Sequence, residues 1–126
     1  MKQKVETTKA PKAVGPYSQA IIEGNLVFTS GSIHLTPDGK LLEGTIEEQT
    51  HQVMKNLQAV LKTAGVSFKE VIKTTIFVTD MAVYSKINEV YGSYLSEPFP
   101  ARETVQVAAL PLGAKVEISM VAVKNV

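Results

Sequence analysis

Cysteine is absent from this sequence, tryptophan is absent, and arginine occurs once, at Arg102, against twelve lysines. Without cysteine there is no disulfide framework, no thiol nucleophile and no thiolate zinc site. A cysteine-free chain fits a reducing compartment, so a cytoplasmic location is expected. Long apolar stretches are missing too. The longest, Val107–Leu110 and Met120–Val123, are four residues, against the ~20 that a membrane helix needs. The opening Met1-Lys2-Gln3-Lys4-Val5-Glu6 lacks the apolar core of a secretory leader, so none is expected. A formal charge of +1 leaves no surplus for neutralising phosphates, and nucleic acid is not an expected partner. Lys2, Lys4, Lys9 and Lys12 read as a solvated strand edge. Phosphate-binding glycine loops and the G-x-S-x-G elbow are also missing.

What is present is an ordinary globular composition, 126 residues with 44% hydrophobic and 20% charged. No repeat, linker or low-complexity tract interrupts it, so one domain is expected over residues 1–126. Strand-like alternation surrounds Val5, and Ser18–Glu23 and Leu26–Ile33 read as strands joined at Gly24-Asn25. Thr36-Pro37-Asp38-Gly39 has turn chemistry. Thr45 and Glu48 form a T-x-x-E capping box. Behind it Ile46, Thr50, Val53, Met54, Leu57, Val60, Leu61 and Ala64 recur at helical spacing, and Gly65 suits the stop. Val71–Val78 reads as a strand buried on both faces. A second helix is predicted from Met81 to Leu95 with Asp80 as its cap, and Pro98 and Pro100 prevent its continuation. Two further strands, Arg102–Ala109 and Lys115–Val123, flank the turn Leu110-Pro111-Leu112-Gly113. The expected fold class is α+β, with a sheet carrying both helices on one face. The last strand is apolar on both sides, so an oligomer that packs sheet against sheet is expected.

Few residues offer chemistry. His34 and His51 are seventeen positions apart with no carboxylate at ligand spacing, so no metal site is expected. His51 falls on the polar side of the first helix, and His34 reads as a residue of the loop mouth. Ser18, Ser30 and Ser32 read as turn or strand hydroxyls. Arg102 stands out because every other cation is lysine. Arginine offers a planar fork that matches a carboxylate bidentately, whereas lysine is a solvated point charge. The stiff Pro98-Phe99-Pro100-Ala101 approach pre-positions it at a strand start. Glu117 is the second candidate, a carboxylate between Val116 and Ile118 where burial is costly unless it is paired or functional. A four-residue hairpin loop would put Arg102, Thr104, Gln106 and Glu117 on one face, while three or five residues would put Glu117 on the other. Asn88 sits between Tyr84 and Tyr91 at the edge of the helix stripe. Tyr17 lies in a loop where an aromatic ring closes a pocket or packs internally.

Taken in order, Gly15-Pro16-Tyr17-Ser18-Gln19-Ala20, Phe28-Thr29-Ser30-Gly31, Asn88-Glu89-Val90-Tyr91, Pro100-Ala101-Arg102 and Leu110-Pro111 through Val116-Glu117-Ile118 resemble the RidA/YjgF (YjgF/YER/UK) family of reactive-intermediate deaminases. The likeness runs the length of the chain. It implies a chorismate-mutase-like domain and a homotrimer whose sheets form a central barrel with three clefts at subunit interfaces. The implied activity is hydrolysis of 2-iminobutanoate and 2-iminopropanoate, imines released by pyridoxal-phosphate dehydratases, to 2-oxo acids and ammonia. No cofactor is implied. By the same resemblance Arg102 grips the substrate carboxylate and Glu117 orients or deprotonates water. Tyr17 lines the cleft, Asn88 neighbours it, and Ser30 and Gly31 supply backbone contacts. Thr104 stands where the family often has cysteine and still offers its backbone carbonyl. Ser32, His34, Ala109 and Leu112 also depart from the common pattern, and Ser32 and His34, placed at the cleft edge, bear on substrate range. Two other functions stay open: a non-catalytic regulatory trimer that binds 2-oxo acids, and the ribonuclease or translation-inhibitor activity of some relatives.

Overall fold

In the computed structural model, which describes residues 1–125, six strands form one mixed sheet and two helices cover one of its faces. The strands are β1 (Gln3–Val5), β2 (Ala20–Glu23), β3 (Leu26–Thr29), β4 (Val71–Val78), β5 (Ala101–Gln106) and β6 (Val116–Val123), and their spatial order is β1-β2-β3-β6-β4-β5. All neighbours are antiparallel except β4 and β5, which are parallel.

The first helix, α1 (Ile46–Thr63), starts where its capping box predicts. Glu48 N–H donates to Thr45 Oγ1 at 3.1 Å and Thr45 N–H to Glu48 Oε1 at 2.8 Å. Val53, Met54, Leu57 and Leu61 are fully buried. They pack with Val27, Ile118, Met120 and Ala122 from the covered face of the sheet. The chain leaves α1 through Gly65, whose φ of +89° suits a residue without a side chain. The second helix, α2 (Tyr84–Ser93), is shorter than the stripe predicts. Met81–Val83 instead form a 3₁₀ turn capped by Asp80, whose carboxylate accepts the Ala82 N–H at 2.9 Å. Strands β3 and β5 also stop early, at Thr29 and Gln106; beyond Thr29 regular pairing is interrupted and the chain touches β6 again only at Ser32.

One expectation fails outright. β5 and β6 are not a hairpin, because β4 lies between them. The segment joining them passes over the end of β4, where Val107 N–H donates to Val78 O and Thr79 N–H to Lys115 O. Residues paired across strands share a face. Arg102 aligns with Thr74 and Met120, and Thr104 with Ile76 and Ile118, so both point to the helices. Glu117 aligns with Phe77 and Val105 and points to the opposite, open face. β6 divides cleanly along this line. Val116, Ile118, Met120 and Ala122 are at most 2% exposed, while Glu117, Ser119, Val121 and Val123 are only half-buried.

Candidate active site

The residues singled out in the sequence separate into two groups. The first surrounds Glu117. Ser30 and Gly31 follow β3, and Ser32 makes a bridge to Ile118 that lays this segment beside β6. Gly31 then meets the Glu117 side chain so closely that a Cβ there would lie 2.0 Å from Oε2. Only glycine fits without moving the carboxylate. The Glu117 carboxylate makes no hydrogen bond or ion pair among the described residues. Burial pushes its carboxyl above the usual value of 4.5.

Around this carboxylate lies a cleft of about 920 Å³ lined by Tyr17, Ser30, Gly31, Leu112 and Glu117 among others. Its walls are pinned by two polar side chains, Gln19 of the Gly15–Ala20 motif and Asn56, which sequence analysis did not name. Gln19 accepts the Thr7 N–H at 2.7 Å and donates to the carbonyls of Thr7 and Pro11, which holds the N-terminal loop against the sheet. Asn56, on α1, donates to the carbonyls of Ile33 and Leu35 and so fixes the opposite wall. Tyr17 is half exposed at the rim, and its hydroxyl accepts the Val14 N–H at 3.3 Å. Ser30 Oγ donates to Ser18 O at 2.5 Å, a structural bond that leaves its backbone on the cleft.

His34 belongs to neither group. It is 1% exposed, so it does not sit at a loop mouth or cleft edge. Its Nε2 accepts the Lys115 N–H at 3.0 Å, which leaves Nδ1 to donate to Leu42 O at 2.8 Å. Burial lowers its pKa from 6.5, and the ring is a neutral cross-link between the 34–42 loop and the start of β6. Ser32, by contrast, does line the cleft, and its Oγ donates to Val53 O on α1 at 3.2 Å.

The second group surrounds Arg102, at the edge strand β5. Its Nη1 donates to Asn88 Oδ1 and its Nη2 to the Tyr84 hydroxyl. The guanidinium carbon lies 5.5 Å from the Tyr84 ring centre and 5.4 Å from that of Tyr91. No carboxylate pairs with it: among the described residues the ion pairs are Met1–Glu23, Lys4–Glu6 and Lys73–Glu103. The chain thus holds its one arginine by neutral oxygens and aromatic faces, with its charge uncompensated. Two residues along the same face, the Thr104 hydroxyl is buried and has no hydrogen-bond partner among the described residues. Sequence analysis set Asn88 between Tyr84 and Tyr91 without joining the three to Arg102, although their i, i+4 and i+7 spacing puts them on one side of the helix.

The fold and these two clusters define a class: a small α+β protein with a cleft carboxyl whose pKa is raised by burial and an arginine held without a carboxylate partner. No cluster of three or more metal-ligating side chains gathers among the described residues. Comparison with known proteins then gives the family. Residues 7–124 match the family model described as Endoribonuclease L-PSP, and the chain belongs to this family, the RidA/YjgF group. It is 51% identical over 122 residues to Reactive Intermediate Deaminase A, chloroplastic, of Arabidopsis thaliana, covering 96% of this chain and 65% of that protein. It is 42% identical over 122 residues to the 2-iminobutanoate/2-iminopropanoate deaminase of Homo sapiens, covering 96% and 89%. Among solved structures, E. coli TdcF with bound serine superposes with a TM-score of 0.93 at 38% identity, covering 98% of this chain and 99% of that one. RidA from Psychrobacter superposes at 0.92 and 44%, covering 96% and 98%.

Proposed function

We propose that the protein hydrolyses small 2-imino acids, 2-iminobutanoate and 2-iminopropanoate, to 2-oxo acids and ammonia, in the cytoplasm and without a cofactor. The observation that carries this reading is the uncompensated Arg102 fork, together with a half-buried, unpaired Glu117. Relatives named as deaminases at 42–51% identity support it, as does a relative's structure with an amino acid bound.

Because Arg102 and Glu117 occupy opposite faces of one sheet, a single chain does not bring them to one ligand. The reading therefore includes a homotrimer in which open sheet faces pack into a barrel and Arg102 of one copy meets the Glu117 cleft of the next. Half-exposed Phe28 and Val105 on that face support it, since burying them favours association.

In such a site Arg102 holds the substrate carboxylate and fixes C2. Water adds to C2 of the iminium, forming the C–O bond as the C=N π pair moves to nitrogen, while Glu117 accepts a proton from the water. Glu117 then returns that proton to the amino group of the carbinolamine, and as the C–N bond breaks and ammonia leaves, Glu117 takes the hydroxyl proton so that the C=O of the 2-oxo acid forms. A carboxyl whose pKa is raised toward the working pH suits these transfers. Tyr17 and Gly31 line the reacting end, and the Thr104 backbone carbonyl and Asn88 complete the arginine side. The ribonuclease reading gains little from a net charge of +1, and a regulatory trimer would bind the same carboxylate without turnover.

The test couples the protein to threonine dehydratase. Release of 2-oxobutanoate and ammonia should accelerate, and Arg102→Ala should abolish the acceleration. Absence of any acceleration by the wild-type protein would overturn the reading, and tight 2-oxobutanoate binding with no turnover would favour the regulatory one.

A further inference from the structure

We propose that Tyr84 is a positioning residue for Arg102, fixing the plane of the guanidinium so that its free donors face the ligand carboxylate. This rests on the reading that Arg102 binds a carboxylate.

A guanidinium carries five N–H donors. In this chain one from Nη1 goes to Asn88 and one from Nη2 goes to Tyr84, leaving the others for a ligand. The two bonds leave from different nitrogens and end on residues one helical turn apart, so together they stop the group from swivelling about its own axis. Aromatic stacking alone does not, because a ring face attracts a cation in any in-plane orientation. The hydroxyl of Tyr84 therefore adds something that its ring cannot. Both acceptors are neutral. A carboxylate at either position would fix the plane equally well but would neutralise the charge that the ligand needs.

The clamp is itself tied down. Met81 N–H, in the turn that leads into Tyr84, donates to Gln106 Oε1 at 2.8 Å, which anchors the start of α2 to the strand that carries Arg102. Tyr91, on the other side, donates from its hydroxyl to the fully buried Thr74 Oγ1 at 3.0 Å. Arg102 is thus aimed from a rigid frame, which a fork of fixed geometry requires.

The experiment uses the full chain and the variant Tyr84→Phe, which keeps the ring and removes only the hydroxyl. With one arginine in the sequence, side-chain ¹⁵N spectra report on Arg102 alone. Separate, slowly rotating Nη signals are expected in the wild type and averaged signals in the variant. Affinity for 2-oxobutanoate should fall by about three- to tenfold. The KM for the imine should rise by a similar factor with kcat within about twofold. In an Arg102→Lys background, Tyr84→Phe should change neither. Unaltered Arg102 spectra, or an equal loss of affinity in the lysine background, would overturn the proposal, since the hydroxyl would then act on the ligand directly or through packing. If the wild type binds 2-oxobutanoate and shows this coupling but does not hydrolyse the imine, the deaminase reading falls and the positioning role stands. If it does not bind 2-oxobutanoate, the positioning role falls with the carboxylate site.

Discussion

His34 shows how a side chain's chemistry depends on which of its atoms are already committed. Both ring nitrogens are bonded, one as acceptor and one as donor, so only the neutral form fits. Protonation would turn the acceptor into a second donor facing the Lys115 N–H. Desolvation lowers the folded-state pKa, the nearby Lys115 charge lowers it further, and the Leu42 carbonyl and Glu43 act the other way. An unfolded imidazole gains its proton below about pH 6.5, whereas the folded one resists until lower pH. The unfolded state therefore binds more protons in that window, and stability falls as pH drops through it, levelling below the folded-state pKa. Urea midpoints measured from pH 7.5 to pH 5 should decline over this window, and direct NMR titration should show His34 charging below 6.5. An imidazole that titrates at or above 6.5 would refute the assignment. Nothing in the sequence indicated this burial, because a lone histidine beside a turn looks the same whether its ring points in or out. Arg102 and Glu117 were legible individually, one from its rarity and the other from its placement mid-strand.

At the scale of elements, α1 was the most legible because its signals agree: a capping box, a helical apolar period and a terminal glycine. It also carries much of the buried core. Leu57 is 1% exposed against the sheet, and Leu57→Ala should lower unfolding free energy by about 2–5 kcal/mol. Urea denaturation followed by circular dichroism measures this, and a change under 1 kcal/mol would mean that the site collapses around the deletion. The register of β5 and β6 was not legible. A nine-residue segment looks alike whether it closes a hairpin or steps over an intervening strand. The better signal lay upstream: strand, short helix and strand, from Val71 to Gln106, is the pattern of a parallel crossover. Reading it so would have placed β5 beside β4 and Arg102 on the helix-covered face.

For the whole molecule, the separation of Arg102 from Glu117 makes a shared site directly testable. Arg102→Ala and Glu117→Gln should each be inactive as pure proteins. Unfolded together in equal amounts and refolded, they should recover about a quarter of wild-type activity, since three-quarters of random trimers are mixed and each has one intact interface in three. No recovery, with mixed trimers verified by mass spectrometry, would place both residues in one copy's site. The sheet order has a different consequence, for folding. β6 follows the other five strands in chain order, yet it forms the seam between β3 and β4. Without it, the chain can hold only a three-stranded meander and a separate parallel pair, each with an open edge. Closure of the core, and with it the cleft that Glu117 completes, therefore waits on this one strand, and until it pairs both partial sheets keep open edges of the kind that invite pairing between chains.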